Sequence, residues 1–468
     1  MYNVVSALDA PYDQISDALV MQIFRIAWES HPQPIANPNL TTWWEYFQPS
    51  RDLHQHYHPW LIEFLKRAYY LPDAPEFFYY IHGLSEPRNL IDVDFNETFE
   101  AQDCYVLLHQ ATPWQGGDEW GIFIDQITCQ AVFVEDLNYH NPIYNVGWGF
   151  RPLEDIYTAY LQMIVESKVQ RVPRQLPFVD LDDNRVGPWN LCAYTQADVC
   201  KAAEAFQSFL NEIKGRLPAS TTENRMRQPL PWSHSSVRTE ASIAPNSFVD
   251  AFCRATTAGT NTNPGIKYIA PGIRLPTAEE FPAIQPFRES SFADDESACP
   301  ILPTLLFIAE GEEGEVALTV PDPGIKLNSL VRRKFSSGGA QPRPAGLYLS
   351  GDDRAHTPFE NGCHLLLPFG VGRNRWARRS DNTYMGKGWD REYDIQTADQ
   401  NSELYQSVFN GMVPHRHVLL HIVLSHWAEQ VKTGRWRVGE TGVMREIGVW
   451  READTEQGWK MYWVPSTW

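Results

Sequence analysis

Two stretches of this chain pair charge with aromatic rings closely enough to grip a ligand. The first is Pro113-Trp114-Gln115-Gly116-Gly117-Asp118-Glu119-Trp120-Gly121. Carboxylates set between tryptophan rings suit a guanidinium or ammonium group, by ion pairing and cation–π attraction. Asp118 and Glu119, flanked by Trp114 and Trp120, are therefore the expected substrate-binding residues. A Gly-Gly turn with solvated acids would carry the same residues. Asp182 and Asp183 are the reserve acids, because Asn184-Arg185-Val186-Gly187-Pro188-Trp189 follows them as a tight turn beside an aromatic. The other acidic run, Asp294-Asp295-Glu296, reads as a solvated loop.

The second stretch is basic: Gly370-Val371-Gly372-Arg373-Asn374-Arg375-Trp376-Ala377-Arg378-Arg379, with Arg332, Arg333 and Lys334 upstream. Arginines with an interleaved Trp can bind phosphates and stack on a base. Arg373, Arg375, Trp376, Arg378 and Arg379 are the expected nucleic-acid-binding residues. The alternative is a charged strand edge that discourages aggregation.

Other candidates are weaker. His54, His56 and His58 alternate in Asp52–His58, and alternate residues of a strand share a face, as metal ligands would. In the bland reading His58 caps a helix that opens at Pro59. His417 and His421 stand four apart, but Arg416 and Val418 flank the first, so the catalytic HExxH glutamate is missing. No phosphate loop, paired CxxC or nucleophile elbow appears. No cofactor or bound metal is expected, and Cys363 beside His364 names no nucleophile until geometry joins them.

Such residues need a scaffold, and the composition provides for one. The chain has 468 residues, enough for two cores or one large composite domain. It carries 17 Trp, 20 Tyr and 23 Phe, so its cores and pockets should be aromatic-lined. The net charge of −19 repels polyanions at long range, so nucleic acid must be met by a local patch. Seven scattered cysteines fit reduced thiols in a cytosol. The first residues lack the pattern of a secretory signal, and no run of about 18 apolar residues could span a membrane. A cytoplasmic protein is expected.

The spacing predicts helices over 12–30, 59–70, Pro152–Val165, Gln196–Lys214 and Pro414–Val431. Thr195 caps the fourth and Gly215 ends it. Strands are expected over Cys104–Gln110, Trp120–Gln126, Ala131–Asp136, Ile301–Ala309, Glu315–Val320, Gly346–Ser350 and His364–Phe369. Trp120–Gln126 and Ala131–Asp136 should form a hairpin, and 336–344 a flexible loop. The Trp-rich tail from Gly434 to Trp468 should be docked. Helices flank clustered strands without regular alternation. The expected fold is α+β, two packed halves with mixed or antiparallel sheets. The halves are 1–217 and 246–468, joined by 218–245, a linker or surface excursion rich in Ser, Thr, Pro and Arg.

The hairpin Trp120–Asp136 followed by the helix Pro152–Val165, with Leu71-Pro72-Asp73-Ala74-Pro75-Glu76-Phe77-Phe78 ahead of it, resembles a Smi1/Knr4-type (SUKH) module over residues 60–170. That resemblance implies a scaffolding or immunity role with a protein partner. Its Gly-rich stretch is displaced, and one strand is extra.

The tail Arg451-Glu452-Ala453-Asp454-Thr455-Glu456, with Trp459, Tyr462 and Pro465, and the segment Leu366-Leu367-Pro368-Phe369 are similar to a group of filamentous-fungal proteins. Some fungal proteins of this kind are arginine-containing cyclodipeptide synthases, which build a diketopiperazine from arginyl-tRNA and a second aminoacyl-tRNA. No catalytic residue of theirs is matched here.

The resemblance implies an enzyme of fungal small-molecule biosynthesis using an aminoacyl-tRNA. The acids near Trp114 and Trp120 would then take the arginyl side chain, and the basic strip the tRNA phosphates. The alternatives are a non-catalytic SUKH-like protein-binding module and a metal-dependent hydrolase built on His54–His58.

Overall fold

In the computed structural model of this chain, the described residues are 41–51, 55–70, 76–79, 81–91, 105–111, 119–136, 150–171, 185–186, 189–218, 228–258, 263, 265–287, 301–310, 344–349, 359–380, 382, 384–385, 402–405, 411–413, 418–444, 446–465 and 467–468. The fold is α+β with several sheets. The expected helix 12–30, the strand Glu315–Val320 and nearly all of the loop 336–344 lie outside these residues. The chain divides into two compact units. One is Met1–Cys192 with Asn410–Pro414 and Trp468; the other is Ala193–Phe409 with His415–Thr467.

The first unit opens with β1 (Thr41–Thr42), α1 (Trp43–Phe47), α2 (Pro59–Arg67) and β2 (Tyr69–Tyr70). Then come β3 (Glu76–Phe78), β4 (Ile81–Leu84), α3 (Pro87–Leu90), β5 (Tyr105–Ala111), β6 (Glu119–Asp125) and β7 (Gln130–Asp136). It closes with α4 (Leu153–Val165), β8 (Val169–Arg171), β9 (Arg185–Val186) and β10 (Trp189–Leu191). Strands β3 to β7 pair in chain order as an antiparallel meander, which contains the expected hairpin. Helix α4 packs on β7, and its Tyr160 stacks on Phe78 with ring centres 4.2 Å apart. Val165, at the last helical position, is 77% exposed, and Met163 is buried.

Gly121 is the residue that lets β6 approach β5. Its φ is +118°, and a Cβ there would lie 2.0 Å from the His109 carbonyl oxygen. The outer edge of β7 is not left open. Ala131 exchanges backbone bonds with Arg151, and the Phe133 amide donates to the carbonyl of Gly411 at 2.9 Å, a residue far along the chain.

The second unit is built on α5 (Gln196–Lys214), α6 (Ser235–Glu240), α7 (Phe248–Thr257), β11 (Tyr268–Ala270), β12 (Ile273–Arg274) and α8 (Glu280–Ala283). It continues with β13 (Thr304–Ala309), β14 (Gly346–Leu349), β15 (Cys363–Leu366), β16 (Glu403–Tyr405) and α9 (Leu420–Lys432). Last come β17 (Val438–Gly439), β18 (Gly442–Val443), a 3-10 helix (Ile447–Asp454) and α10 (Trp459–Tyr462). The eight strands order as β16-β15-β14-β13-β12-β11-β18-β17, with β11–β18 the parallel pair. Phe307, Leu347, Cys363 and Leu365 share a core with residues of α5, α7 and α9. Leu305, Ile308, Tyr348 and Leu366, on the other face, pack with Phe287.

Helix α5 has the bounds its signals predict. Thr195 Oγ1 accepts from the Asp198 amide at 3.2 Å and the Asp198 carboxylate accepts from the Thr195 amide at 2.8 Å, a reciprocal cap stabilising by about 1 kcal/mol. Helix α9 starts at Leu420, and residues 414–417 of the expected helix lie outside the described residues. Val418 and Leu419 pair with neighbours instead: the Val418 carbonyl accepts from the Cys363 amide, and Leu419 bridges to Gly362 through the backbone.

The stretch 218–245, expected as a linker or surface excursion, is described at 218 and over 228–245 and is anchored in the latter. Trp232 is fully buried against Phe206, Phe252, Phe281 and Phe307, and its indole donates to Thr256 at 2.9 Å. Burying one such ring gives roughly 1.5–3 kcal/mol, enough to hold an irregular segment without a repeating pattern. Among the described residues, no helix is long and apolar enough to cross a membrane.

Candidate nucleic-acid interface

The basic strip forms a loop that turns back on itself. Its tightest point is Gly372, with φ +109°, where a Cβ would lie 2.8 Å from the Met385 carbonyl oxygen. Arg375 adopts φ +64°, a left-handed geometry rarely taken by a long side chain, and its amide closes a turn on the Gly372 carbonyl at 3.1 Å. The Met385 amide bonds the Ala377 carbonyl, and Arg378 bridges to Tyr384 through the backbone.

A buried carboxylate holds this shape. Asp454, at the end of the 3-10 helix, accepts from the amides of Asn374 at 2.7 Å, Trp376 at 2.9 Å and Ala377 at 3.1 Å. The Asn374 side chain answers by donating to the Asp454 carbonyl at 3.2 Å. The Trp463 indole fixes the loop's end by donating to the Arg379 carbonyl at 2.8 Å. The 3-10 helix is itself seated by Trp450, whose indole donates to Pro271 at 2.8 Å.

Held in this way, the loop presents Arg373 and Arg375 as exposed side chains. Arg378 is half-buried. Its guanidinium lies 3.6 Å from the Tyr384 ring centre and 4.8 Å from that of Trp459, and its Nη1 donates to the Arg375 carbonyl at 3.1 Å. Partial burial lowers its pKa from the ordinary arginine value. Lys460 sits 5.6 Å from the Trp459 ring, and Arg451 lies 3.8 Å from that of Phe369. The loop thus combines exposed cations with rings packed on Arg378, groups that can neutralise phosphates and offer π faces to bases.

The other expected site residues fall elsewhere. Trp114, Asp118, Asp182 and Asp183 lie outside the described residues. Glu119 and Trp120 begin β6 in the first unit, where Glu119 pairs with Asp136 of β7. His54 and His417 also lie outside the described residues. His58 stands at the N-cap of α2, but its side chain makes no capping bond. Gln126 takes the neighbouring backbone instead, accepting from the His58 amide at 2.7 Å and donating to the His56 carbonyl at 3.0 Å. Among the described residues, no group of three or more His, Cys, Asp or Glu could hold a metal ion.

Among the described residues two histidines are buried, one of them the His364 that the sequence sets beside Cys363. His364 on β15 pairs with Glu403 on β16, inside the second unit. Cys363 beside it points to the opposite face, as neighbours on a strand must, so the two form no nucleophilic pair. Burial also pushes the Cys363 thiol far up, away from the reactive thiolate.

His109 on β5 donates from Nδ1 to the His82 carbonyl at 3.0 Å, so its Nε2 accepts from the Tyr157 hydroxyl at 2.7 Å. Burial pushes its pKa down to about 4. The unfolded chain takes up that proton below about pH 6.5 while the folded one refuses it, so stability is full above that pH and falls towards pH 4. A loss on the order of 3 kcal/mol is expected across that window, read as a falling urea midpoint; His109→Gln should flatten this part of the profile.

The geometry defines an α+β protein with an arginine–aromatic loop on its second unit. Comparison with protein families, with curated proteins and with solved structures finds no match to this chain. Asp454, Tyr384 and Trp459 were missed as members of the loop's setting. Asp454 and Trp459 do occur in the tail motif, which was the only local signal for them.

Proposed function

We propose that this chain binds RNA through the 372–379 loop and serves as an aminoacyl-tRNA-dependent enzyme of fungal small-molecule biosynthesis, an arginine-containing cyclodipeptide synthase. The observation that supports this is the fixed display of Arg373 and Arg375 beside stacked Arg378, Tyr384 and Trp459. Loops that merely solvate charge need no buried carboxylate bonded to three backbone amides. In this reading Asp118 and Glu119, with Trp114 and Trp120, receive the arginyl side chain, and Asp182 and Asp183 remain the reserve acids. The net charge of −19 confines attraction to short range, so binding depends on the local patch.

With two exposed arginines on phosphates, log affinity should fall against log salt with a slope of roughly −1.4 to −1.8. Binding of unfractionated tRNA, followed by fluorescence anisotropy across a salt series, measures it. Substituting Arg373 and Arg375 together by Gln should bring the slope close to zero. Metabolite profiling of a host expressing the chain tests the enzyme: a new arginine-containing diketopiperazine is expected. Absence of both tRNA binding and product would overturn the proposal.

One observation favours a second reading. The β6–β7 hairpin followed by α4 has the order that resembles a SUKH-type module. In that reading the first unit binds a protein partner and the chain makes no product. A partner captured by the intact chain, without RNA and without a new metabolite, would select it.

A further inference from the structure

The aromatic cluster around Arg378 has one exposed ring. Trp459 and Tyr384 stand on the guanidinium at 4.8 Å and 3.6 Å, so one face of the tyrosine ring is covered. Tyr384 is nevertheless 46% exposed, so part of the ring meets solvent. The cation keeps the ring in place, because the backbone bridge between Arg378 and Tyr384 ties their positions together. A flat, pre-fixed aromatic face beside exposed Arg373 and Arg375 is a receptor for a planar group that carries anions on either side.

We infer that Tyr384 stacks an unpaired nucleobase, while Arg373 and Arg375 take the flanking phosphates. The surface thus reads single-stranded RNA in preference to duplex. This rests on the RNA-binding reading above and narrows it. A base within a duplex already has both faces covered by its neighbours and has none to offer. An unpaired base adds one more ring to the cluster of Trp459, Arg378 and Tyr384. The ring is fixed before binding, so little side-chain entropy is lost on stacking.

The test uses the full chain and three labelled probes: a short adenosine oligoribonucleotide, the same strand paired with its complement, and a strand of equal length lacking bases. The single strand should bind roughly five- to a hundredfold tighter than the abasic one, the worth of one stacked base. The duplex should bind no better than the abasic strand. Tyr384→Ala should erase the advantage of the bases and keep the salt-sensitive remainder, while Tyr384→Phe should preserve it. Equal affinity for single and abasic strands overturns the stacking site and leaves RNA binding standing. Failure to bind any probe overturns both. Displacement of the RNA by a glutamate-rich peptide at equal concentration would assign the surface to an acidic protein segment and overturn the inference too.

Discussion

Asp454→Asn will lower the stability of the second unit by about 3 kcal/mol and weaken the proposed RNA binding by roughly a hundredfold. The wild-type carboxylate receives three backbone amides within 3.1 Å and sits 5% exposed. Hydrogen bonds to a charged acceptor contribute about 1.5–3 kcal/mol each, though not additively. Asparagine turns one of the two accepting oxygens into a donor that faces another donor. The loop is then free to leave the left-handed turn at Arg375. Reordering two or three residues on binding costs about 1–2 kcal/mol apiece, which accounts for the lost affinity. Amide exchange at Asn374, Trp376 and Ala377 checks this directly. If those three amides stay as protected as in the parent, the carboxylate does not hold the loop.

Trp427→Ala should cost about 3–5 kcal/mol, a large share of a typical domain's stability. The ring is fully buried and lies among Phe209, Phe307, Tyr405, Trp436 and Trp450, with centres 5.8 to 6.5 Å away. Its indole also donates to the Tyr405 hydroxyl at 3.1 Å, so the truncation strands a buried polar group as well as opening a cavity. Trp427→Phe refills part of the space and should recover about half. Because Trp450 rests on Trp427 and seats the helix that ends in Asp454, the same change should raise amide exchange in the 372–379 loop. A urea midpoint that moves while the loop stays protected would separate the core from the loop.

The sequence made local structure readable where signals sit close together. The bounds of α5 follow from Thr195, Asp198 and Gly215 within one helix, and the β6–β7 hairpin from alternation and a short turn. Features made by residues far apart were hidden. Asp454 reaches its amides across 77 to 80 positions, and Glu403 meets His364 across 39. Neither spacing has a period to betray it. Trp232 escaped for another reason: one large ring in a polar stretch leaves no repeat, yet it anchors the segment. The described start of α9 is later than its apolar run suggests, because the backbone of Val418 and Leu419 is spent on Cys363 and Gly362. Of the expected site, the arginines were visible as charge. The carboxylate and tyrosine that give them shape were not.

The bond from Phe133 to Gly411 has a bearing on biosynthesis. The meander's last strand is translated early, but the carbonyl that closes its edge is made much later. At 5–20 residues per second, roughly ten to forty seconds pass between Cys192 and that glycine leaving the ribosome's catalytic centre. For that interval the nascent sheet's rim lacks this partner for Phe133, beyond its bonds to Arg151, and is open there to chaperones or to a sister chain on the same polysome. Any N-terminal fragment ending near Cys192 would keep that rim for its whole lifetime.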